Sequence, residues 1–396
     1  MSRTIRDVVI VSAARTPVGV FGGTLSKIPA PKLGAEAIKA AVERAGIDKE
    51  IIDECIMGCV LPAGQGQAPA RQASIYAGLP QKVECMTVNK VCGSGAKSVM
   101  LAAQAIMLGH ADVIVAGGME SMSSTPYYLP EGRWGMRMNN KQVIDGLVFD
   151  GLWDPYNDFH MGVAAELCAE EYELSREAQD EFAIESTRRA TEARDKGWFD
   201  DEIVPISIPQ RKGDPIVMKT DEGIARSKPD KIPNLRPAFK KDGTVTAANA
   251  SSINDGAAAL ILMSADKAKE LGLKPMAKMG DFCSAAQAPE WFTTAPVKAT
   301  KKLLELSNKK PEDIDLWEVN EAFAVVNLAF EKELKVPREK INVHGGAVVL
   351  GHPIGATGAR LLTTLVYAMK RHDAKTGLAT MCIGGGEAAS VILESV

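Results

Sequence analysis

Cys92 stands between the apolar run Thr87-Val88-Asn89-Lys90-Val91 and the small residues Gly93-Ser94-Gly95-Ala96, after which the sequence favours a helix. A cysteine at the first turn of a helix faces unpaired backbone N–H groups and the positive end of the helix dipole, both of which favour thiolate over thiol. The small residues behind it let an acyl group approach the backbone. On its own, a cysteine in such company is more often an inert core thiol. Three further segments change that balance. Asn342-Val343-His344-Gly345-Gly346-Ala347-Val348-Val349-Leu350-Gly351-His352-Pro353-Ile354-Gly355-Ala356-Thr357-Gly358 carries His352 at a second strand-to-helix junction, with Pro353 suited to the first helical position. Met381-Cys382-Ile383-Gly384-Gly385-Gly386-Glu387 delivers Cys382 from a strand into a glycine turn, and Trp317-Glu318-Val319-Asn320-Glu321 places Asn320 directly after an apolar strand. A nucleophile, a base, a second thiol and an amide thus all fall at strand ends, where α/β folds collect reactive groups.

The elements that must position them are legible as alternation. Strand-like runs such as Val113-Ile114-Val115-Ala116 follow alanine-rich helical stretches such as Ala96 to Leu108, the pattern of α/β layers. The halves also match each other. A strand followed by Ser-Ala-Ala occurs at Ile10 to Ala14 and at Phe282 to Ala286; Ile-Asp before a strand occurs at Ile52-Asp53 and Ile314-Asp315; a Gly-Gly turn near a glutamate occurs at Gly117 to Glu120 and Gly385 to Glu387. Three matches in one order imply duplication, with Cys92 and His352 in equivalent places. From about Ser121 to Ala248 the pattern gives way to aromatic, proline and charged residues, interrupted by one amphipathic helix opening at Ser175 as N-cap, with Phe182, Ala183 and Ser186 on one side. A connection of this length is expected to be a functional lid or binding loop. The expected division is 1–120 (completed by 249–271), 121–248 and 272–396.

Composition narrows the classes. At 396 residues and 46% hydrophobic the chain can bury a large core of two or three domains. With 46 basic against 50 acidic residues its formal charge of -4 favours neither nucleic acid nor an anionic membrane, so an anionic ligand must be met locally. Seven cysteines without regular spacing read as reduced thiols in a cytoplasmic setting. Cys55 and Cys59 form a close pair with no second pair to complete a metal site, so no metal is expected. No signal peptide, transit stretch or membrane-spanning run is expected from the sequence.

These motifs together, from Ile10-Val11-Ser12-Ala13-Ala14-Arg15-Thr16-Pro17 to the closing glycine turn, resemble the thiolases, and within them the short-chain acetyl-CoA acetyltransferases. The resemblance implies an α/β thiolase fold of two duplicated layered halves with an inserted loop domain over the CoA site. It implies an acyltransferase that interconverts two acetyl-CoA with acetoacetyl-CoA plus CoA through a Cys92 thioester. It also implies coenzyme A as substrate and product, with no permanently bound cofactor, and a homotetramer.

Chemistry assigns the parts within that frame. A thioester intermediate needs a thiolate with its own base, which pairs Cys92 with His352. Proton removal from, or return to, the acetyl α-carbon falls to Cys382, which the glycine turn is expected to leave exposed at the site. By resemblance, the enolate oxygen meets His352 and a water held on Asn320, and the tetrahedral oxygen meets the N–H groups of Cys92 and Gly384. His160 and Met161 would lie along the pantetheine and narrow the acyl pocket, with Ser251, Ala247, Phe239 and Phe323 beside them. Arg226, Lys212 and Lys219, with Arg211, are candidates for the nucleotide phosphates, each equally readable as a solvated loop charge. The alternative within the family is a broader-chain 3-ketoacyl-CoA thiolase. A ketoacyl synthase lacks a cysteine like Cys382, and Gly351, Gly355 and Gly358 do not have dinucleotide-binding spacing.

Overall fold

The computed structural model describes residues 5–396, so positions 1–4 of the expected first half lie outside the described residues. In chain order the main strands are β1 (Val8–Arg15), a short β2 (Gly19–Val20), β3 (Glu54–Gly58), β4 (Glu84–Val88), β5 (Val113–Ser121), β6 (Asn254–Ser264), β7 (Ala277–Ala286), β8 (Leu316–Val319), β9 (Thr376–Ile383) and β10 (Glu387–Glu394). They form one sheet in the order β8-β9-β10-β7-β1-β6-β5-β3-β4, with β2 on β6.

The pairing repeats. From β1 outward the ladders run antiparallel to β6, antiparallel to β5, parallel to β3 and parallel to β4. From β7 outward they run antiparallel to β10, antiparallel to β9 and parallel to β8, with a single parallel bridge between Trp317 and Ile341 where a fifth strand would stand. Antiparallel pairing of β1 with β7 joins the two sets.

Helices α1 (Ala30–Ala45), α2 (Pro69–Tyr76), α3 (Ser94–Met107), α4 (Met161–Glu171), α5 (Arg176–Asp195), α6 (Ala295–Leu306), α7 (Ala324–Leu334) and α8 (Thr357–Arg371) complete the layers. Side chains alternate along β1: Val8 and Ile10 pack with α3 and α8, while Val9 and Val11 pack with α1 and α2. On the far side of the second set, Leu303, Leu304 and Phe330 of α6 and α7 cover Trp317, Leu378 and Ile392. The result is five layers, α–β–α–β–α, with α3 and α8 in the middle. Strands covered on both faces must be apolar throughout, which is why β1, β5, β6 and β9 read as continuous rather than alternating runs. Each fully buried Val, Leu or Ile there contributes about 1.5–3 kcal/mol.

The residues between β5 and β6 pack beside the layers. Helix α5 opens where the cap predicts, Ser175 Oγ accepting from the Ala178 N–H at 3.2 Å, and Phe182, Ala183 and Ser186 are buried. This segment is tied to β1 by a buried ion cluster, in which the Arg15 guanidinium donates to Glu202 Oε1 at 2.6 Å and to both Asp221 carboxylate oxygens at 2.7 and 2.9 Å. Among the described residues no helix is long and apolar enough to cross a membrane.

Candidate active site

Helix α3 begins at Ser94 with Gly93 as its N-cap, so Cys92 stands just before the helix rather than in its first turn. The turn is tight: Ser94 Oγ accepts from the Lys90 N–H and donates to the Val91 carbonyl. Val91, β-branched, is held at φ 45°, a left-handed conformation such residues rarely adopt and one that marks functional turns. The second junction also differs from expectation. Helix α8 starts at Thr357, and Pro353 sits four residues earlier in a turn whose carbonyl accepts from the Ala356 and Thr357 N–H groups.

That turn fixes His352. Its N–H donates to Asn254 Oδ1 at 2.8 Å, and its Nδ1 lies 2.6 Å from Thr357 Oγ1. Because the single Thr357 hydroxyl proton goes to the Pro353 carbonyl at 2.9 Å, the hydroxyl must accept from Nδ1–H, which leaves Nε2 unprotonated. Nε2 is 3.5 Å from Asn320 Nδ2, and Asn320 Oδ1 is buried without a partner, a place for the ordered water expected there.

A cavity of about 520 Å³ gathers the candidates. Cys92, His352 and Gly384 line its inner end, and Met161, His160, Phe239, Phe323, Ala247, Ser251 and Arg226 line the rest. His160 caps α4, its Nδ1 accepting from the Gly162 N–H at 3.0 Å, and stacks on Phe239 at 4.8 Å. Phe292 and Ile253 also line the cavity. They carry no local sequence motif, and only their place in the folded chain reveals them.

Two expectations are corrected. Cys382 is 1% exposed, packed with Met161, Phe323 and Phe292 beneath the cavity rather than open to it, because its strand is covered on both faces up to the turn. Lys212 and Lys219, with Arg211, are exposed and belong to no wall of this cavity. Arg211 and Lys212 stand in the loop of the hairpin formed by Ile206–Ile208 and Ile216–Met218 and Lys219 directly follows it, while Ile206 and Met218 pack with the core of α1 and α2. An adjoining space of about 390 Å³ shares Arg226, Ala247 and Ser252 with the main cavity and adds Lys228 and Lys231. Charge composition alone could not separate these lysines from their neighbours.

Electrostatics follow from dryness. Burial pushes the Cys92 thiol up to about 11, against the opposing pull of the Gly384 and Cys92 N–H groups, with Glu120 adding to the rise. Burial holds His352 down at about 3, and Arg360 acts in the same direction. Burial also pushes Cys382 well above the ordinary thiol value, Cys92 adds to it, and donation from Asn320 opposes it. The helix-dipole argument for a resting thiolate is therefore outweighed: both cysteines are neutral thiols beside a neutral imidazole. Such a set moves protons during bond formation rather than before it.

Residues 8–266 match the thiolase N-terminal domain and 273–395 the thiolase C-terminal domain. The chain belongs to the thiolase family. This thiolase is similar to the acetyl-CoA acetyltransferase of Cupriavidus necator, at 56% identity over 98% of this chain and 99% of that one. Its structure is similar to the crystal structure of the Bacillus anthracis acetyl-CoA acetyltransferase, with a TM-score of 0.97, 42% identity and full coverage of both chains, 100% each. It is likewise similar to the Acat5 thiolase from Ascaris suum in complex with coenzyme A, with a TM-score of 0.94, 44% identity, and coverage of 99% of this chain and 100% of that one. The thiolase fold and the acyltransferase class read from the motifs are both upheld.

Proposed function

We propose that this thiolase is an acetyl-CoA C-acetyltransferase that interconverts acetoacetyl-CoA plus CoA with two acetyl-CoA through an acetyl-Cys92 thioester. The observation that carries the reading is the convergence of Cys92, His352 and Gly384 on one cavity end, with Cys382 and Asn320 directly beneath it.

In the cleavage direction, the Cys92 thiol gives its proton to His352 Nε2 as sulfur attacks the C3 carbonyl of acetoacetyl-CoA. The C2–C3 bond breaks, its electron pair passes to C2 as an enolate, and the Cys382 thiol protonates C2 to release acetyl-CoA. A thiol well above its ordinary value is protonated at rest and suits this acid role. The Cys382 thiolate then takes the proton of an incoming CoA thiol, whose sulfur attacks acetyl-Cys92. Cys92 leaves and recovers its proton from His352. Condensation is the reverse. We assign the tetrahedral oxygen to the Cys92 and Gly384 N–H groups, and the enolate oxygen to His352 and an Asn320-held water.

In this reading His160, Met161, Ala247, Ser251, Phe239 and Phe323 contact the pantetheine. Arg226, Lys228 and Lys231 replace Lys212 and Lys219 as the phosphate partners, since the former line space continuous with the cavity. CoA enters as substrate, with no resident cofactor. A cytoplasmic homotetramer is part of the same proposal: Tyr127, Trp134, Met136 and Met138 are 66%, 77%, 45% and 86% exposed, a patch that a partner copy would cover.

Mass spectrometry after incubation with acetoacetyl-CoA tests the assignment, with an acetyl mass expected on the Cys92 peptide. Cys92→Ala should form no acyl-enzyme, whereas Cys382→Ala should acylate slowly and lose α-proton exchange. An acetyl group on Cys382, or equal loss of acylation in both folded variants, overturns the division of roles.

A further inference from the structure

Glu120, the penultimate residue of β5, is fully buried and forms no ion pair among the described residues. Its Oε2 accepts from the Gly355 N–H at 2.9 Å and the Val60 N–H at 3.0 Å; its Oε1 accepts from the Leu61 N–H at 3.1 Å, with Cys59 Sγ at 3.6 Å. Val60 and Leu61 belong to the first half, whereas Gly355 lies in the turn that carries His352. Around the same turn the first half presents glycines: a Cβ at Gly58 would stand 2.6 Å from the Gly355 carbonyl oxygen, one at Gly95 3.1 Å from it, and one at Gly118 would overlap it. The turn is thus seated in a glycine cradle and clamped by one carboxylate. An isolated buried carboxylate is costly, and three backbone donors alone offset only part of that cost.

We propose that Glu120 is a positioning residue of the reaction, docking the His352 turn of the second half onto the first half and so setting His352 against Cys92. The proposal rests on the reading of function above. Ionisation of the clamp is part of it, since a protonated carboxyl turns one acceptor oxygen into a donor that faces N–H groups. Burial pushes Glu120 up to about 7, with the Val60, Leu61 and Gly355 N–H groups and Cys59 opposing. The titratable groups facing it are Cys59 from the end of β3 and Cys92 from the turn before α3; Asp255, on neighbouring β6, turns its carboxylate to Ser123 instead. His352, held at about 3, and Cys92, at about 11, supply no limb near 7, while Glu318, pushed up to about 8 by burial, lies on β8 of the second half and would keep its own limb in Glu120→Gln.

The test is the pH profile of kcat for acetoacetyl-CoA thiolysis in the unsubstituted enzyme, in Glu120→Gln and in Gly118→Ala. Expected is an acid limb near pH 7 in the unsubstituted enzyme. Glu120→Gln should lose kcat by ~10–100-fold with KM for CoA little changed, as a misplaced base would, and should lack the limb. Gly118→Ala, which crowds the cradle but keeps the charge, should lose kcat and keep the limb. A profile flat between pH 6 and 8 in the unsubstituted enzyme overturns the proposal even if Glu120→Gln does not fold. So does Glu120→Gln with full kcat or a retained limb near pH 7. Absence of thiolysis in the unsubstituted enzyme would instead overturn the function itself.

Discussion

At the residue scale, Met161 and His352 answer different questions. Met161 is 8% exposed and packs over Cys382 and Phe323 where an acyl chain would extend. A pocket wall discriminates by about 1–3 kcal/mol per misfitting methylene, roughly 10–200-fold. Met161→Ala should therefore raise kcat/KM for six-carbon 3-ketoacyl-CoA by that order while keeping cleavage of acetoacetyl-CoA, as read by steady-state thiolysis. If the unsubstituted enzyme cleaves both equally, the broader-chain alternative holds. His352 leaves a mark on stability. Its folded value of about 3 lies below the usual 6.5, so between these values the unfolded chain binds the extra proton. Stability must then fall as pH drops from about 6.5 to 3. His352→Asn should flatten part of that fall in thermal unfolding scans across the same window, and His344, also held at about 3 by burial, contributes to the rest together with the lowered His160, His372 and Glu185.

At the scale of elements, the contact between α3 and α8 sets the distance between the two halves of the site. A Cβ at Gly358 would lie 2.6 Å from Ala96 Cβ and would overlap the Ala96 backbone nitrogen. Overpacking of this kind costs about 1–3 kcal/mol. Gly358→Ala should lower the unfolding midpoint by that order and reduce kcat more than tenfold, since it moves the His352 turn with the helix. The local chemistry of these elements was open to a sequence reading: the cap at Ser175, the strand ends carrying Cys92, Cys382 and Asn320, and the repeat of strand motifs all leave short-range signatures, whereas His352 follows the short helix Ala347–Leu350 and not the expected strand. What was not open depends on burial. The depth of Cys382, the dominance of desolvation over the helix dipole at Cys92, and the absence of Lys212 and Lys219 from the cavity wall are set by neighbours more than a hundred residues away or by which way a loop turns. The start of α8 at Thr357 escaped for a local reason, because the Pro353 turn closes on its own carbonyl before the helix begins.

For the whole molecule, the segment between β5 and β6 is held by charge as well as by apolar contact. Arg15 is buried with Glu202 and Asp221, and Arg44 donates to the Glu202 and Ile203 carbonyls. Removing one partner of a buried pair typically costs about 3–5 kcal/mol because the other charge is left stranded. Arg15→Met should lose stability of that order in denaturant titration, more at neutral than at acid pH, because burial raises the Glu202 carboxyl toward protonation. The order of the sheet has a further consequence, for the chain as it is made. Strand β6 lies between β1 and β5, yet it follows β5 by the whole stretch from Ser121 to Asn254. At about 5–20 residues per second, synthesis leaves both inner edges open for on the order of ten seconds. Open apolar edges recruit other strands. A chain truncated before Asn254 should therefore aggregate on expression, and one extended past Ser264 should be recovered from the pelleted fraction into the supernatant in greater yield, making the nascent chain's vulnerable interval end when the eleven residues of β6 clear the ribosome.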